Sequence, residues 1–198
     1  MTQRSNPQLP LVLASTSFWR RKMLEDVGIP LECVGSGVDE RSFIESDPER
    51  LAAVLARAKA EAVAHRFPGR WVLGSDQVVT DGYEVWGKPE NPADHLRRLQ
   101  QMRGKSHDLI SAYCLVLPEG RVIEGSDTTR LWVRGDLSDR ELDAYVATEE
   151  GSGCAGGYAV EGKGAWLFER IDGDFWTVLG MPLLKVLSTL RAHGWVHA

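Results

Sequence analysis

One short segment near the N-terminus restricts the possible folds of this chain more than any other part of its sequence. Residues 11–14 read Leu-Val-Leu-Ala, three hydroxyl side chains follow at 15–17, and a helical pattern begins at Phe18. The segment predicts a buried strand, a turn and a helix, and thus a fold that combines a sheet with helices. Arg20 and Arg21 lie in the first helical turn. Because that end of a helix has unpaired N–H groups and a positive dipole, we interpret the turn as a phosphate-binding corner.

Trp19 supports this interpretation, although an alternative remains. A large aromatic ring beside two arginines is unusual for an ordinary surface, and such a ring can stack on a base or on a cationic ligand. The alternative is that Ser17 only caps the helix and that Arg20 and Arg21 are solvated surface residues. This segment alone does not decide between the two.

Composition excludes several classes of protein. With 198 residues, 43% hydrophobic and 26% charged, the chain can bury a full core, and we expect a single domain over residues 1–198. The net charge of −5 argues against a nucleic-acid partner. No apolar stretch approaches the roughly 18 residues of a membrane helix, so we expect no membrane partner. Three scattered cysteines and no signal-peptide pattern favour a reducing, cytoplasmic location without disulfides or a zinc site.

Helix and strand patterns alternate along the chain. Capping residues and terminal glycines predict helices at about 18–27, 48–66, 92–103, 139–150 and 183–193. Strands are predicted at 71–80, 83–86, 107–117 and 121–134, with two more around the turn at 172–174. In the second helix the predicted apolar stripe is Leu51, Leu55, Ala58 and Ala62, with Lys59 at its edge. Mixed hairpins and helices predict an α/β or α+β sheet of mixed direction.

Several familiar motifs are present only in appearance. Residues 151–156 spell G-x-G-x-x-G, but a capped helix precedes them and a strand pattern follows, which excludes a dinucleotide fingerprint. The sequence Gly104-Lys105-Ser106 lacks the earlier glycine of a P-loop, because Leu99 occupies that position. The five histidines have no metal-ligand spacing, and we interpret each as a surface or capping residue. No G-x-S-x-G sequence anchors an esterase-type triad.

Two carboxylates are candidates for a functional role. Asp76 lies within the apolar strand at 71–80, and a buried carboxylate needs a partner such as a metal, a lysine or a water. The alternative is an aspartate that accepts backbone N–H groups at a strand end. Glu40, beside Asp39, is a surface residue if taken alone. With Asp76, however, Asp39 and Glu40 can hold Mg²⁺, which favours one or two carboxylates together with substrate phosphates.

Two lysines and a third acidic residue complete the set of candidates. Lys88 follows Gly87, where the backbone can approach a ligand closely. Lys59 either faces a cleft or extends along the apolar stripe to solvent. Glu161 follows the glycine-rich loop, where it can either recognise the edge of a base or cap a turn.

Taken in order, short motifs of this chain resemble the Maf family of nucleoside triphosphate pyrophosphatases over nearly its whole length. Each motif is short, and it is their order and spacing together that are specific. The motifs are Leu13-Ala14-Ser15-Thr16-Ser17 with Arg20-Arg21, Asp39-Glu40, Ala58-Lys59-Ala60, Gly74-Ser75-Asp76-Gln77-Val78, Gly87-Lys88-Pro89, Cys154-Ala155-Gly156 and Gly180-Met181-Pro182-Leu183-Leu184.

The resemblance implies a fold and a reaction. The fold would be α/β, with a mixed, largely antiparallel sheet, flanking helices and two lobes around a central cleft, similar to inosine triphosphatases. A divalent cation, Mg²⁺ or Mn²⁺, would assist hydrolysis between the α- and β-phosphates of a nucleoside triphosphate. On the same ground we expect a homodimer. A nucleotide-binding regulator of cell division that does not hydrolyse its ligand remains the alternative from another class.

The resemblance also implies roles for individual residues. Asp76 matches the proton acceptor, and Glu40 and Asp76 match the metal-site carboxylates. Lys59 and Lys88 match catalytic lysines that face the triphosphate. The phosphate-binding turn is matched by Ser15, Ser17 and Arg20.

In the Maf family, the residue types at three positions distinguish enzymes with different substrates. Trp19, Gln77 and Glu161 are similar to the 7-methyl-GTP branch of the family, whereas dTTP/UTP enzymes usually have Arg, Thr and Gln there. A 7-methylguanine carries positive charge, so stacking on Trp19 would gain about 1–2 kcal/mol, and Glu161 can accept from guanine N–H groups. A dTTP/UTP pyrophosphatase is the alternative within the family. Phe18 departs from the family pattern, because a proline commonly opens this helix.

Overall fold

The computed structural model describes residues 9–195, and these residues form one sheet with helices on both faces. The seven strands are β1 (Leu11–Leu13), β2 (Leu31–Cys33), β3 (Val72–Thr80), β4 (Val85–Trp86), β5 (Ser106–Val116), β6 (Val122–Val133) and β7 (Phe168–Asp172). The α-helices are α1 (Phe18–Asp26), α2 (Pro48–Ala64), α3 (Pro92–Met102), α4 (Asp139–Val146), α5 (Phe175–Val178) and α6 (Leu183–Ala192). None of these helices combines the length and apolar character needed to cross a bilayer.

The sheet is mixed in direction, which confirms the predicted fold class. Its strand order is β2-β1-β3-β5-β6-β7, with β4 paired to one end of β3. Strand β1 runs parallel to β2 and β3, whereas all the other pairs are antiparallel. The strand–turn–helix corner at the N-terminus therefore joins a sheet that is otherwise built from hairpins.

One edge of β3 is only partly paired, and this gap determines where the cleft lies. Strand β5 pairs with β3 along its whole length, from Val72 to Thr80. On the opposite edge, β1 pairs at Val72 and Leu73 and β4 pairs at Val79 and Thr80. Among the described residues, no strand pairs with positions 74–78 on that edge. Asp76 is at the centre of this gap.

The two faces of β3 support different layers because side chains alternate along a strand. Val72 and Val78 face α2, where they join a cluster formed largely with its alanines. On the other face Leu73 belongs to a core with α1 and α6, whereas Val79 belongs to a separate core with α3 and α4. Polar side chains fill the interval between these two cores, among them Ser75, Gln77, Ser111 and Thr177. The two cores correspond to two lobes with the cleft between them.

Gly74 allows α2 to lie directly against β3. A Cβ atom at this position would be 2.3 Å from the carbonyl oxygen of Ala56 and 2.6 Å from the amide nitrogen of Ala60. Only glycine fits so close to the helix backbone. The contact fixes the turn of α2 that carries Lys59 beside Asp76, two residues further along β3.

Helix α2 buries only Leu55 of the four residues predicted for its apolar face. Its buried residues are Ala52, Leu55, Ala56, Lys59, Ala60 and Val63. Leu51, Ala58 and Ala62 are only partly buried, and Lys59 lies within the covered face rather than at its edge. The close approach of Gly74 to Ala56 and Ala60 turns that side of α2 towards β3, and the pattern of residues within the helix does not reveal this contact.

Three other local predictions also need correction. Helix α4 ends at Val146 rather than near Glu150, and Glu149 has a positive φ of 58° that is incompatible with a continuing helix. Residues 175–178 form α5 instead of a strand, because the Asp174 side chain caps this helix by accepting from the Thr177 amide. His95 and His107 are each 2% exposed and are not surface residues. His197 lies outside the described residues.

Candidate active site

A cleft of about 860 Å³ opens at the gap in the sheet. Nine of the ten predicted site residues line it, and they come from both lobes: Ser17, Trp19, Arg20, Glu40, Lys59, Asp76, Gln77, Lys88 and Glu161. Its size is in the range of small-molecule sites in proteins. Ser15 does not line the cleft, and it is buried beneath the turn.

The serines shape the turn that enters α1. Ser15 Oγ accepts from the backbone N–H of Ser17 at 3.1 Å. Ser17 Oγ accepts from the backbone N–H of Arg20 at 3.5 Å, which makes Ser17 the N-cap of α1. Ser15 therefore holds the turn, and Ser17 lies at the surface of the cleft.

Arg20 and Arg21 point to different places, although they are adjacent in sequence. Arg20 Nε donates to the carbonyl oxygen of Gly180 at 2.9 Å, so its guanidinium is fixed in the cleft. Burial lowers the pKa of Arg20, and the charges of Asp76 and Glu40 oppose this, so the side chain remains a cation. Arg21 is exposed, lies 3.9 Å from Glu25 and does not line the cleft.

A compact ion cluster forms the floor of the cleft. Lys59 Nζ lies 2.7 Å from Glu40 Oε1 and also donates to Asp76 Oδ1. Lys59 and Asp76 are 7% and 6% exposed, whereas the Glu40 side chain is about half exposed. Burial raises the pKa of Asp76, and Lys59 and Arg20 only partly offset this effect. The raised pKa means that the Asp76 carboxylate accepts a proton more readily than an ordinary aspartate does.

The donor set for a metal ion is small. Among residues 9–195 no group of three or more His, Cys, Asp or Glu side chains is arranged to hold a metal. Glu40 and Asp76 supply two carboxylates, and both contact the Lys59 ammonium. A cation here would need further oxygen ligands from a substrate, as is common for Mg²⁺.

The orientation of the Gln77 amide follows from its neighbours. Gln77 Nε2 donates to the carbonyl oxygens of Thr177 at 2.7 Å and Val178 at 3.0 Å. The reversed amide would place Oε1 against two carbonyl oxygens, so Oε1 is the atom left for other partners. Because Gln77 lines the cleft, it presents a hydrogen-bond acceptor there.

The remaining predicted residues lie at the rim. Lys88 is an exposed residue in the loop after β4, and Glu161 is partly buried. Burial raises the pKa of Glu161, and nearby Glu150 adds to this effect. Trp19 contacts Phe18 edge to face, with ring centroids 5.1 Å apart.

Sequence reasoning missed several residues that line the cleft. Trp86 and Tyr158 contribute aromatic walls, and the carbonyl oxygen of Gly180 orients Arg20. Trp86 comes directly before the Gly87-Lys88 motif, so its position in the sequence was a signal that it lies near the cleft. A carbonyl oxygen gives no sequence signal, because every residue has one.

The fold and the cleft together define an α/β protein with a charged pocket suited to a polyphosphate anion. The family described as Maf-like protein matches residues 10–193, and the chain belongs to this family.

Three relatives cover almost the whole chain. It is 39% identical over 188 residues to the nucleoside triphosphate pyrophosphatase of Rhodopseudomonas palustris (strain BisB18), covering 92% of this chain and 93% of that protein. It is 40% identical over 185 residues to the dTTP/UTP pyrophosphatase of Thermus thermophilus, covering 93% and 95%. It is 37% identical over 196 residues to the 7-methyl-GTP pyrophosphatase of Rhizobium meliloti, covering 95% and 98%.

A solved structure shows the same fold. The HAM1 protein from Coxiella burnetii aligns with a TM-score of 0.50 and 14% identity, covering 94% of this chain and 100% of that chain. At this identity the likeness concerns the fold alone.

Proposed function

We propose that this chain hydrolyses a nucleoside triphosphate between its α- and β-phosphates and releases a nucleoside monophosphate and pyrophosphate. The observation that carries the proposal is the cluster at the cleft floor, in which Lys59 joins the carboxylates of Glu40 and Asp76. Arg20 and Lys88 line the same cleft. Cations for a triphosphate are therefore close to a carboxylate that can accept a proton from water. The names of the three relatives support the same activity.

Asp76 is the residue that we assign as proton acceptor. Burial raises its pKa, which brings the carboxylate nearer to the pH at which a general base works well. Water attacks the α-phosphorus and gives its proton to Asp76, and the bond from the α-phosphorus to the bridging oxygen breaks. Lys59, Lys88 and Arg20 then stabilise the negative charge that develops on the departing pyrophosphate.

A divalent cation, Mg²⁺ or Mn²⁺, is part of this proposal. The carboxylates of Glu40 and Asp76 are oxygen donors of the kind these ions prefer, and two such donors suffice when phosphates complete the coordination. When bound, the ion would neutralise phosphate oxygens and lower the pKa of a coordinated water. In the protein alone both carboxylates are paired with Lys59, so a bound metal ion would share these two carboxylates with the lysine.

For the base we propose 7-methylguanine, and the acceptors of the pocket support this choice. Gln77 presents Oε1, and Glu161 contributes a carboxylate to the same cleft. Guanine has N–H donors on its N1 and exocyclic amine that match two acceptors, whereas a pyrimidine with carbonyls on both sides of its N3–H matches them poorly. Trp19 offers a ring face to the positive charge of the methylated base. The 7-methyl-GTP pyrophosphatase of Rhizobium meliloti is one of the relatives.

The alternative substrate within the family is dTTP or UTP, in agreement with the name of the Thermus thermophilus relative. A single panel tests both the reaction and the substrate. Purified protein with Mg²⁺ is incubated with 7-methyl-GTP, GTP, UTP and dTTP, and pyrophosphate, phosphate and monophosphate are measured. We expect equal amounts of pyrophosphate and monophosphate, with the highest kcat/KM for 7-methyl-GTP. A preference for pyrimidines would overturn the choice of base, and nucleotide binding without pyrophosphate release would overturn the proposed reaction.

A further inference from the structure

The loop that carries Lys88 is tied to the protein on both sides of this residue. On one side, the carbonyl oxygen of Gly87 accepts from the guanidinium of Arg98. On the other side, the backbone N–H of Glu90 donates to Asp94 Oδ2 at 3.1 Å. Both partners belong to α3. The Lys88 side chain itself is exposed, so its position depends on these backbone contacts.

Arg98 and Asp94 also bind each other, which makes them one unit. Arg98 Nη2 lies 3.2 Å from Asp94 Oδ2, and their side chains are only 17% and 11% exposed. A single guanidinium thus bonds a carboxylate that holds one end of the loop and a carbonyl oxygen that belongs to the other end. The planar fork of arginine suits such a double contact.

The same helix holds the glycine-rich turn on the far side of the loop. His95 Nε2 donates to the carbonyl oxygen of Gly157, and the N–H of Gly156 donates to the carbonyl oxygen of Gly87 at 3.3 Å. Gly157 has a φ of +83°, and a Cβ there would lie 2.9 Å from the His95 ring and 3.1 Å from Pro89. Helix α3, the Lys88 loop and the turn at 154–157 are therefore closely packed.

We propose that Arg98 is a positioning residue for Lys88. It does not line the cleft, and it acts by holding the Gly87 carbonyl so that the Lys88 ammonium is directed towards the triphosphate before binding. The proposal rests on the proposed function, because it assumes that Lys88 contacts phosphate. Preorganisation of this kind lowers the cost of fixing a flexible lysine during the reaction.

Arg97 provides a matched control on the same helix. It pairs with the same aspartate, Asp94, but its side chain is 70% exposed, and the side chain that donates to the Gly87 carbonyl is that of Arg98. An ion pair whose arginine is this exposed to solvent contributes little to stability. Arg97→Gln and Arg98→Gln therefore remove the same charge from neighbouring positions. Only Arg98→Gln removes a donor from the Gly87 carbonyl, which then keeps the bond from the Gly156 N–H alone.

The first measurement is hydrogen–deuterium exchange of the protein without nucleotide. We expect Arg98→Gln to speed exchange at the backbone amides of Glu90 and Gly156, whereas Arg97→Gln leaves both rates unchanged. Because this readout needs no substrate, it separates failure of the positioning role from failure of the proposed function. Equal exchange in the wild type and Arg98→Gln would overturn the proposal.

The second measurement is a double-mutant cycle on kcat/KM for the best nucleotide. We expect Arg98→Gln to lower kcat/KM by about tenfold to a hundredfold, and Arg97→Gln to leave it unchanged. If Arg98 acts through Lys88, Arg98→Gln combined with Lys88→Met is no worse than Lys88→Met alone. A multiplicative loss in the double variant would contradict the proposal. Should Arg98→Gln fail to fold, Arg98→Lys, which keeps the charge without the fork, undergoes both measurements with the same expectations.

Discussion

The floor and the rim of the cleft position their lysines by different means. At the floor, Lys59 is buried on α2 and pairs directly with Asp76 and Glu40. At the rim, Lys88 is exposed, and within residues 9–195 its side chain has no ion-pair or hydrogen-bond partner, while the backbone beside it is tied to α3. A buried cation must be neutralised by fixed charges, whereas an exposed one can be placed by the backbone alone.

The largest expected effect is at the floor, on catalysis. Asp76→Asn keeps the size of the side chain but removes the base, so we expect kcat to fall by about 10²- to 10⁴-fold. Nucleotide binding should persist, because Arg20, Lys59 and Lys88 remain. Pyrophosphate release measures the first effect and equilibrium dialysis the second. Asp39→Asn is the matched control, since Asp39 caps the short helical turn at Glu40–Ser42 and does not line the cleft. Similar turnover in the two variants would remove Asp76 from the mechanism.

A second prediction compares the two lysines directly, by stability. Lys59→Met leaves the Asp76 carboxylate buried without its cation, and we expect the free energy of unfolding to fall by about 3 kcal/mol. Lys88→Met removes an exposed charge and should change it by less than about 0.5 kcal/mol. Urea denaturation of both variants checks this. Equal losses in the two would show that burial does not distinguish floor from rim.

The same pair of variants tests whether metal and lysine compete. Without nucleotide, Lys59→Met frees both carboxylates, so we expect tighter Mn²⁺ binding than in the wild type, measured by electron paramagnetic resonance. Lys88→Met should bind Mn²⁺ as the wild type does. Weaker binding in Lys59→Met would mean that the lysine supports the metal site instead of occupying it.

The sequence predicts the fold and the candidate site better at the floor of the cleft than at the rim. The strand that contains Asp76 and the cap at Ser17 follow from local patterns, because an apolar run and a hydroxyl before a helix carry their own signals. The burial of Lys59 could not be predicted in this way. It depends on how closely α2 approaches Gly74, and that distance is set by packing between the helix and the strand.

At the rim the sequence was less informative still. The Gly87-Lys88 motif could be recognised, but its link to Arg98 joins a backbone oxygen to a side chain eleven residues away. His95 likewise bonds a carbonyl 62 residues further along the chain. Such contacts leave no periodicity or spacing in the sequence. Substrate preference also lay beyond the patterns alone, and it was inferred from a family resemblance.

A fourth prediction concerns a buried group behind the rim. His107 packs among Trp86, Tyr158 and Phe168, and burial lowers its pKa to about 4, with Asp108 and Asp81 opposing. The unfolded chain binds a proton near pH 6.5, whereas the folded protein does not, so stability falls as the pH drops from 6.5 towards 4. At pH 5 the loss is about 2 kcal/mol.

His107→Gln is the variant that isolates this effect. It cannot titrate, so the difference in unfolding free energy between pH 7 and pH 5 should shrink by about 2 kcal/mol relative to the wild type. Urea denaturation at the two pH values measures it. An unchanged pH dependence would show that His107 is not held neutral by its surroundings. Any fall in activity at low pH that persists in His107→Gln then originates elsewhere, for example at the floor.

The smallest expected effect is on the choice of base, at the aromatic ring of Trp19 in the first turn of α1. Trp19→Leu removes the ring face but keeps an apolar side chain, so it should penalise a positively charged base more than a neutral one. We expect the ratio of kcat/KM for 7-methyl-GTP to that for GTP to fall by about fivefold to thirtyfold, which corresponds to a cation–π contribution of about 1–2 kcal/mol. GTP is the internal control, since it differs only in the methyl group and its charge. An equal fall for both nucleotides would mean that Trp19 supplies shape and not recognition of charge, and the preference would then rest on Gln77 and Glu161.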